Sequence, residues 1–221
     1  ADLVGAMRAQ TDRPVTVKCR IGIDDMDPQT GLDRFVDAVA DAGAQVIYLH
    51  ARKAWLNGLS PKENREIPPL DYGLAERLAR RRPDLDIILN GGLTDRDMTS
   101  AMLQPVGQIF AGVMLGRAAY KTPYQLGLFH QILQNKTAPI DLEDIALKMT
   151  DYAEQQIKTG VPLQAITRHM LGLCAGLKGA RAFRRELGEQ ARMPGTDCTL
   201  IEKAVKACLH MNKNLNEKKV A

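Results

Sequence analysis

Residues 45–53 read QVIYLHARK, an apolar run, Val46-Ile47-Tyr48-Leu49, that stops at a polar and basic cluster, His50-Ala51-Arg52-Lys53. The run has the composition and length of a strand, and the polar residues gathered at its C-terminal end decide the fold. The same design recurs outward from it. Upstream, PVTVKCRIG (14–22) carries Lys18-Cys19-Arg20; downstream, LDIILNGG (85–92) ends in Asn90-Gly91-Gly92 and QIFAGVMLGR (108–117) in Gly116-Arg117. Between the strands, GLDRFVDAVADAGA (31–44), DYGLAERLARRRP (71–83) and TDRDMTSAMLQ (94–104) have the period of helices. Gly43 and Pro83 close helices just before new strands, and Thr94 is an N-cap with Asp97 at the capping-box offset. The expectation is four parallel strands, near residues 14–20, 46–50, 86–90 and 109–115.

Four parallel strands with intervening helices make either half of an eight-stranded barrel or a small open sheet, and periodicity does not choose between them. The loops do. In a (β/α)8 barrel the chemistry sits at the C-terminal ends of the strands, which is where the polar and glycine-rich residues cluster here. The predicted fold is therefore α/β, a partial TIM barrel. From Pro139 onward only helical patterns remain, in LEDIALKMTDYAEQQIKTG (142–160), PLQAITRHMLGLCAG (162–176), GARAFRRELGEQARM (179–193) and TLIEKAVKACLHMNKNL (199–215), with NEKKVA expected to fray. The polar, Pro-containing NKTAP (135–139) reads as a linker. It separates an expected barrel half, 1–135, from an all-α C-terminal domain, 139–215.

At 221 residues and 45% hydrophobic content the chain can bury a sizeable core. The charge of +4 and pI near 8.9 permit a polyanionic partner without requiring one. Its distribution says more: between Gly160 and Arg192 stand six basic residues (Arg168, Lys178, Arg181, Arg184, Arg185, Arg192) and two acids (Glu186, Glu189), so this segment alone equals the net excess of the chain. The four cysteines, Cys19, Cys174, Cys198 and Cys208, form no CxxC pair and have no histidine at ligand spacing, so they read as reduced thiols and no metal is expected. No run approaches the roughly eighteen apolar residues of a membrane span, and the opening ADLVGAMRAQTDRP has no signal architecture. A cytoplasmic location is the expectation.

The run HARKAWLNGLSPKENREIPPLDY (50–72) closely resembles the tRNA-dihydrouridine synthases of the A subfamily. The resemblance extends upstream to PVTVKCRIGIDD and downstream through LNGGL, GVMLGRAAY, ITRHMLGL and GARAFRREL, and so covers nearly the whole chain. It implies an FMN-binding barrel followed by a helical tRNA-binding domain, with NADPH as reductant and uridine 20/20a of the tRNA D-loop as target. By that count the strands here are the fifth to eighth. The first four, and the cysteine that protonates uracil C5, are then expected outside this chain, since none of its cysteines matches that motif. Activity of this chain alone is accordingly not expected, an open barrel edge invites self-association, and a tRNA-binding fragment without catalysis is the alternative. A flavin barrel acting on a small molecule fits the glycines equally well, but not the SPKENR loop or the basic helices.

The resemblance also implies roles for residues. Lys18 lies near the flavin pyrimidine edge, where a cation stabilises the reduced ring, and His50 contacts the cofactor. Asn90, Gly91, Gly92, Gly116 and Arg117 form the phosphate side, where bare backbone N–H groups admit an anion; a tight turn that needs glycine for its backbone angles is the alternative at Gly91, and pairing with a surface carboxylate the alternative for Arg117. Lys62 and Arg65 in SPKENR, beside the sole tryptophan Trp55, contact tRNA. So do Arg181 and Arg184, which share a helix face with Arg185. Cys19 is expected to point away from Lys18 as a packing thiol, and Arg168 and His169 to contact tRNA, with buttressing of the domain interface the alternative for Arg168.

Overall fold

The computed structural model describes residues 1–94, 109–133 and 140–220, which divide into two compact units, Ala1–Gly116 and Arg117–Ala221. In the first, four strands form one parallel sheet in sequence order: β1 (Val17–Arg20), β2 (Val46–His50), β3 (Asp86–Asn90) and β4 (Gly112–Met114). The two central strands have the expected bounds. The outer two are shorter than expected: Pro14 offers no N–H to a ladder, and β4 pairs only with Ile88, Leu89 and Asn90. Helix α1 (Asp2–Arg8) precedes the sheet, and α2 (Pro28–Asp41) and α3 (Tyr72–Arg81) link its strands. The helix expected over 94–104 lies, apart from Thr94, outside the described residues.

Helix α2 begins earlier than its hydrophobic period suggested. Asp27 caps it by accepting from the Thr30 N–H at 2.8 Å, with Pro28 in the first turn, where a missing N–H costs nothing. Asp71 caps α3 in the same way, accepting from Leu74 N–H at 2.8 Å. Gly43, at φ 104°, ends α2 in a conformation that favours glycine. The apolar stripes of these helices, Leu32, Val36 and Val39 on α2 and Ala75, Leu78 and Ala79 on α3, are buried in one core with Ile47, Leu49, Ile87 and Leu89 of the sheet. A ladder of ion pairs joins the outer sides of the same helices. Arg77 grips Asp33 with both nitrogens (2.7 and 3.0 Å), Arg81 grips Asp37 (2.9 and 3.1 Å), and Arg82 joins Asp37 (2.7 Å) to Asp84 (2.6 Å). These pairs are partly exposed, so each adds no more than about 1 kcal/mol; the burial of the stripe outweighs them.

Every regular element described in the second unit is a helix: α4 (Arg117–Lys121), α5 (Tyr124–Leu133), α6 (Leu142–Lys158), α7 (Leu163–Thr167), α8 (Ala180–Gln190) and α9 (Leu200–Val220). Its core gathers Leu142, Ala146, Ala153, Ile166, Leu173, Cys174, Phe183, Leu187, Ile201, Val205 and Cys208. Helices α4 and α5 were expected with the barrel half. They fall in the helical unit because their partners are helical: Tyr124 packs on this core, and Gly172 lies against the Lys121 carbonyl. The linker expected at 135–139 lies outside the described residues, apart from the neighbouring Ile140. The helix expected over 162–176 stops at Thr167, and the chain continues in tight turns with i to i−3 bonds such as Met170 N–H to Thr167 and Ala175 N–H to Gly172. Within these turns Gly172 lies close to the Lys121 carbonyl, where a Cβ would not fit. Helix α9 runs on to Val220, through the stretch expected to fray.

Hydrogen bonds first from Arg81 and then from Arg82 hold the Asp37 carboxyl below the usual carboxylate value. A group whose folded pKa is depressed stabilises the fold above its unfolded pKa, about 4 for aspartate, and this contribution is lost as pH falls through the folded value. The thermal midpoint should therefore drop on acidification below about pH 4 less steeply in Asp37→Asn than in the parent, as read by circular dichroism.

Candidate functional site

The sheet has two chemically different faces. Pairing is in register, Arg20 opposite His50, His50 opposite Asn90 and Asn90 opposite Met114, so these four stand in a row along the C-terminal edge. Side chains alternate along a strand, so Lys18, Tyr48, Ile88 and Gly112 lie on the same face one step back. All eight are exposed or half-buried, whereas Ile47, Leu49, Ile87 and Leu89 of the opposite face are buried against α2 and α3. The Lys18 ammonium donates to Asn90 Oδ1 at 3.2 Å, reaching over β2 to do so. The Asn90 amide nitrogen donates in turn to the Met114 carbonyl at 2.8 Å, which fixes its oxygen toward Lys18. Burial, more than any neighbour, pushes the Lys18 ammonium below the usual lysine value. Lys18, His50 and Asn90 are thus brought together on one face at the strand ends.

The glycine turn after β3 differs in its cause from the phosphate reading. Gly91 and Gly92 have φ of 109° and 68°, a region that disfavours side chains. A Cβ at Gly91 would lie 2.5 Å from His50 Cδ2, and one at Gly92 would run into Leu70 and lie 2.8 Å from the Tyr72 hydroxyl. The space on that side is filled by protein, and the glycines let the His50 ring and Leu70 pack on bare backbone. Tyr72 seals the turn by donating to the Gly91 carbonyl at 2.7 Å. Gly116 is different: nothing lies within 4 Å of the position a Cβ would take. Arg117, the next residue, is exposed at the start of α4. Cys19 points to the core side, as its place in the strand required, and burial raises its thiol to about 11.

The loop after β2 is tied down more firmly than its charge suggested. Ser60 and Glu63 form a capping box around the short 3-10 turn Glu63–Arg65: Ser60 N–H donates to Glu63 Oε2 at 2.8 Å, and Glu63 N–H to Ser60 Oγ at 3.3 Å. The Asn64 side chain bonds both backbone groups of Trp55, donating to its carbonyl and accepting from its N–H, each at 2.7 Å. Arg20 donates to the Lys53 and Asn64 carbonyls, 2.7 Å each, and Asp24 accepts from Leu56 N–H at 2.8 Å. Arg52, from the basic cluster that closes the β2 run, turns its guanidinium to the Glu66 and Pro68 carbonyls. Lys62, Arg65 and Trp55 are left exposed, with the Lys53 ammonium 6.0 Å from the indole centroid. Reading the sequence by charge missed Arg20 and Asn64. The S-x-x-E spacing of Ser60 and Glu63 was the signal that a defined turn follows.

In the second unit, Arg181, Arg184 and Arg185 are exposed on one face of α8, whose other face buries Phe183 and Leu187. None of the three has an ion-pair partner among the described residues. Arg168 donates from Nε to His169 Nε2 at 3.0 Å, and His169 Nδ1 faces the Tyr120 hydroxyl at 3.0 Å, so Arg168 braces a histidine that links α4 to the turns after α7. Among the described residues, no cluster of His, Cys, Asp or Glu is arranged to hold a metal, and no helix is long and apolar enough to cross a membrane.

The sequence model described as dihydrouridine synthase matches residues 1–209. The chain belongs to that family. It is 47% identical over 205 residues to a tRNA-dihydrouridine(20/20a) synthase of Xanthomonas axonopodis pv. citri, covering 93% of this chain and 60% of the relative. It is 48% identical over 206 residues to the protein of that name in Pasteurella multocida (93% and 62%), and 44% over 207 residues to that of Vibrio cholerae (93% and 62%). The chain thus spans about three fifths of the length of the curated relatives it matches.

Two outcomes follow from the geometry of this dihydrouridine synthase chain. Gly91→Ala, which forces a side chain into a positive φ and against His50, should lower stability by about 1–3 kcal/mol in a denaturant titration. At pH 8, iodoacetamide should modify Cys19 about a hundredfold more slowly than a free cysteine, as read by peptide mass mapping, because so little of the raised thiol is ionised.

Proposed function

We propose that this chain is the part of a tRNA-dihydrouridine synthase that supplies one side of an FMN site and two tRNA-gripping surfaces, acting in the reduction of uridine to 5,6-dihydrouridine at D-loop positions 20/20a. The observation that carries the reading is the grouping of Lys18, His50 and Asn90 on the open face of the sheet, with Lys18 reaching Asn90, near the strand ends where barrel enzymes keep their chemistry. In this reading β1 to β4 are strands five to eight of a (β/α)8 barrel, the polar face is its lumen, and residues beyond about 139 belong to the helical tRNA-binding domain.

The donor set suits a flavin. The exposed Lys18 ammonium is held by Asn90, which keeps a donor in place on the open face although partial burial moves it below the usual lysine value. His50, half-buried on the same face, packs against the bare backbone of Gly91. The open backbone at Gly116 and the exposed Arg117 suit a phosphate better than the filled turn at Gly91 and Gly92 does. FMN, when bound, supplies the hydride that uracil C6 accepts, with NADPH as the ultimate reductant. Lys18 holds positive charge beside the ring that carries the electrons. Proton delivery to C5 is not assigned to this chain's thiols: Cys19 faces the core, Cys174 and Cys208 are buried in the helical unit, and Cys198 packs against that unit's core.

For tRNA, Lys62 and Arg65 on the first unit and Arg181 and Arg184 on the second meet phosphates, with Trp55 available to stack on a base. Reaching the uracil requires its extrusion from the loop. A cytoplasmic location accords with a tRNA substrate, and self-association through an open sheet edge remains part of the proposal for this chain by itself.

The test is binding of FMN and tRNA to the 221-residue chain. Retained flavin after desalting, lost in Lys18→Ala, together with salt-sensitive tRNA binding supports the reading. Arg181→Ala/Arg184→Ala should weaken tRNA binding and lower the slope of log affinity against log salt by roughly two. Salt-sensitive tRNA binding with no flavin retention favours a binding fragment without catalysis, and absence of both overturns the proposal.

A further inference from the structure

Three side chains from separate parts of the first unit converge on the backbone of one short turn. The Asn64 amide donates to the carbonyls of Trp55 (2.7 Å) and Leu59 (3.3 Å) and accepts from the Trp55 N–H (2.7 Å), closing residues 55–64 into a loop. Arg20, at the end of β1, donates to the carbonyl of residue 64 at 2.7 Å, and Arg52, just past β2, to that of residue 66 at 2.9 Å. Arg65 therefore stands between two carbonyls, each held by a guanidinium rooted at the rim of the sheet. The arrangement opposes electrostatics. Burial first, and then the charges of Arg52 and Arg65, hold Arg20 below the usual arginine value, so these cations are gathered against their mutual repulsion. Backbone carbonyls offset the cost, and the result is a turn whose direction is dictated by the sheet.

From this geometry we infer that Asn64, with Arg20 and Arg52, is a positioning residue that aims the Lys62–Arg65 turn at RNA phosphates without itself touching RNA. The inference rests on the reading of Lys62 and Arg65 as tRNA contacts. Asparagine is suited to the task because one planar amide supplies two donors and an acceptor at once; alanine supplies none, and aspartate cannot donate. A fixed turn presents both cations together, so less conformational entropy is lost on binding than with a loose one.

The experiment is Asn64→Ala in the full chain, read in two ways. Trp55 is the sole tryptophan, and both its backbone groups are bound by Asn64, so its acrylamide quenching should rise in the variant. Affinity for tRNA should fall about tenfold. The salt slope should fall toward that of Lys62→Ala/Arg65→Ala although no charge has been removed, and Asn64→Ala should add nothing in that double background. A general loss of stability would move the thermal midpoint but not the salt slope. Unchanged quenching, or a loss of affinity that adds fully to that of the double variant, overturns the inference. Should the alanine variant fail to fold, Asn64→Asp, which keeps the acceptor for Trp55 N–H, is read by the same criteria. A double variant that binds tRNA as tightly as the parent overturns the tRNA reading of the turn and the aiming role with it, an outcome distinct from failure of the inference alone.

Discussion

The period of two along a parallel strand is the constraint on which the first unit depends. Successive side chains must go to opposite faces, so a strand cannot bury one residue without presenting the next to the other side. In β2 the sequence VIYLH answers by burying Ile47 and Leu49 under the helices and giving Tyr48 and His50 to the open face. Because all four strands pair without stagger, the choice made in one is repeated in its neighbours. The Lys18 to Asn90 hydrogen bond is a product of that alignment: two residues far apart in sequence meet because each is the right number of steps along its own strand.

Stability and chemistry are thereby kept on separate surfaces. The helices α2 and α3 cover the apolar face and are joined along their outer sides by Asp33, Asp37 and the arginines opposite them. The open face bears the lysine and the fixed amide. Beyond the rim, the loop after β2 is organised by hydrogen bonds to backbone carbonyls, the interaction open to a guanidinium when no carboxylate is offered. The helical unit uses another division, with Phe183 and Leu187 on the inner side of α8 and its arginines on the outer.

The strands could be read from sequence because period, composition and polar ends agree in VIYLH and DIILN, and the fate of Cys19 followed from its neighbour. Helix starts were readable in principle from Asp27-Pro28, but a reading that follows hydrophobic period begins too late, since caps lie outside the stripe. Helix α7 was read too long because the apolar period continues past Thr167, where the backbone turns to i to i−3 bonds that period alone does not distinguish from a helix. The same holds for the site. Lys18, His50 and Asn90 announced themselves as polar residues closing apolar runs. Arg20 and Arg52 also stand in those polar ends, but their task and that of Asn64 could not be read, because their partners are carbonyls, which every residue has and no sequence displays. The two glycines after β3 could be read as a turn that needs glycine for its backbone angles, as their positive φ values show, but the atoms that fill the space beside them could not, since they belong to His50, Leu70 and Tyr72.

The unstaggered register also governs where this chain can change length. Adding or deleting one residue inside a strand would turn the remainder of that strand over, delivering leucine or isoleucine to the open face and a lysine, histidine or asparagine to the core. The connections between strands carry no such parity once the next strand has found its partner. Changes in length are therefore tolerated best in those connections, and the loop that carries Trp55 and Lys62 can be remodelled while the row beneath it keeps its order.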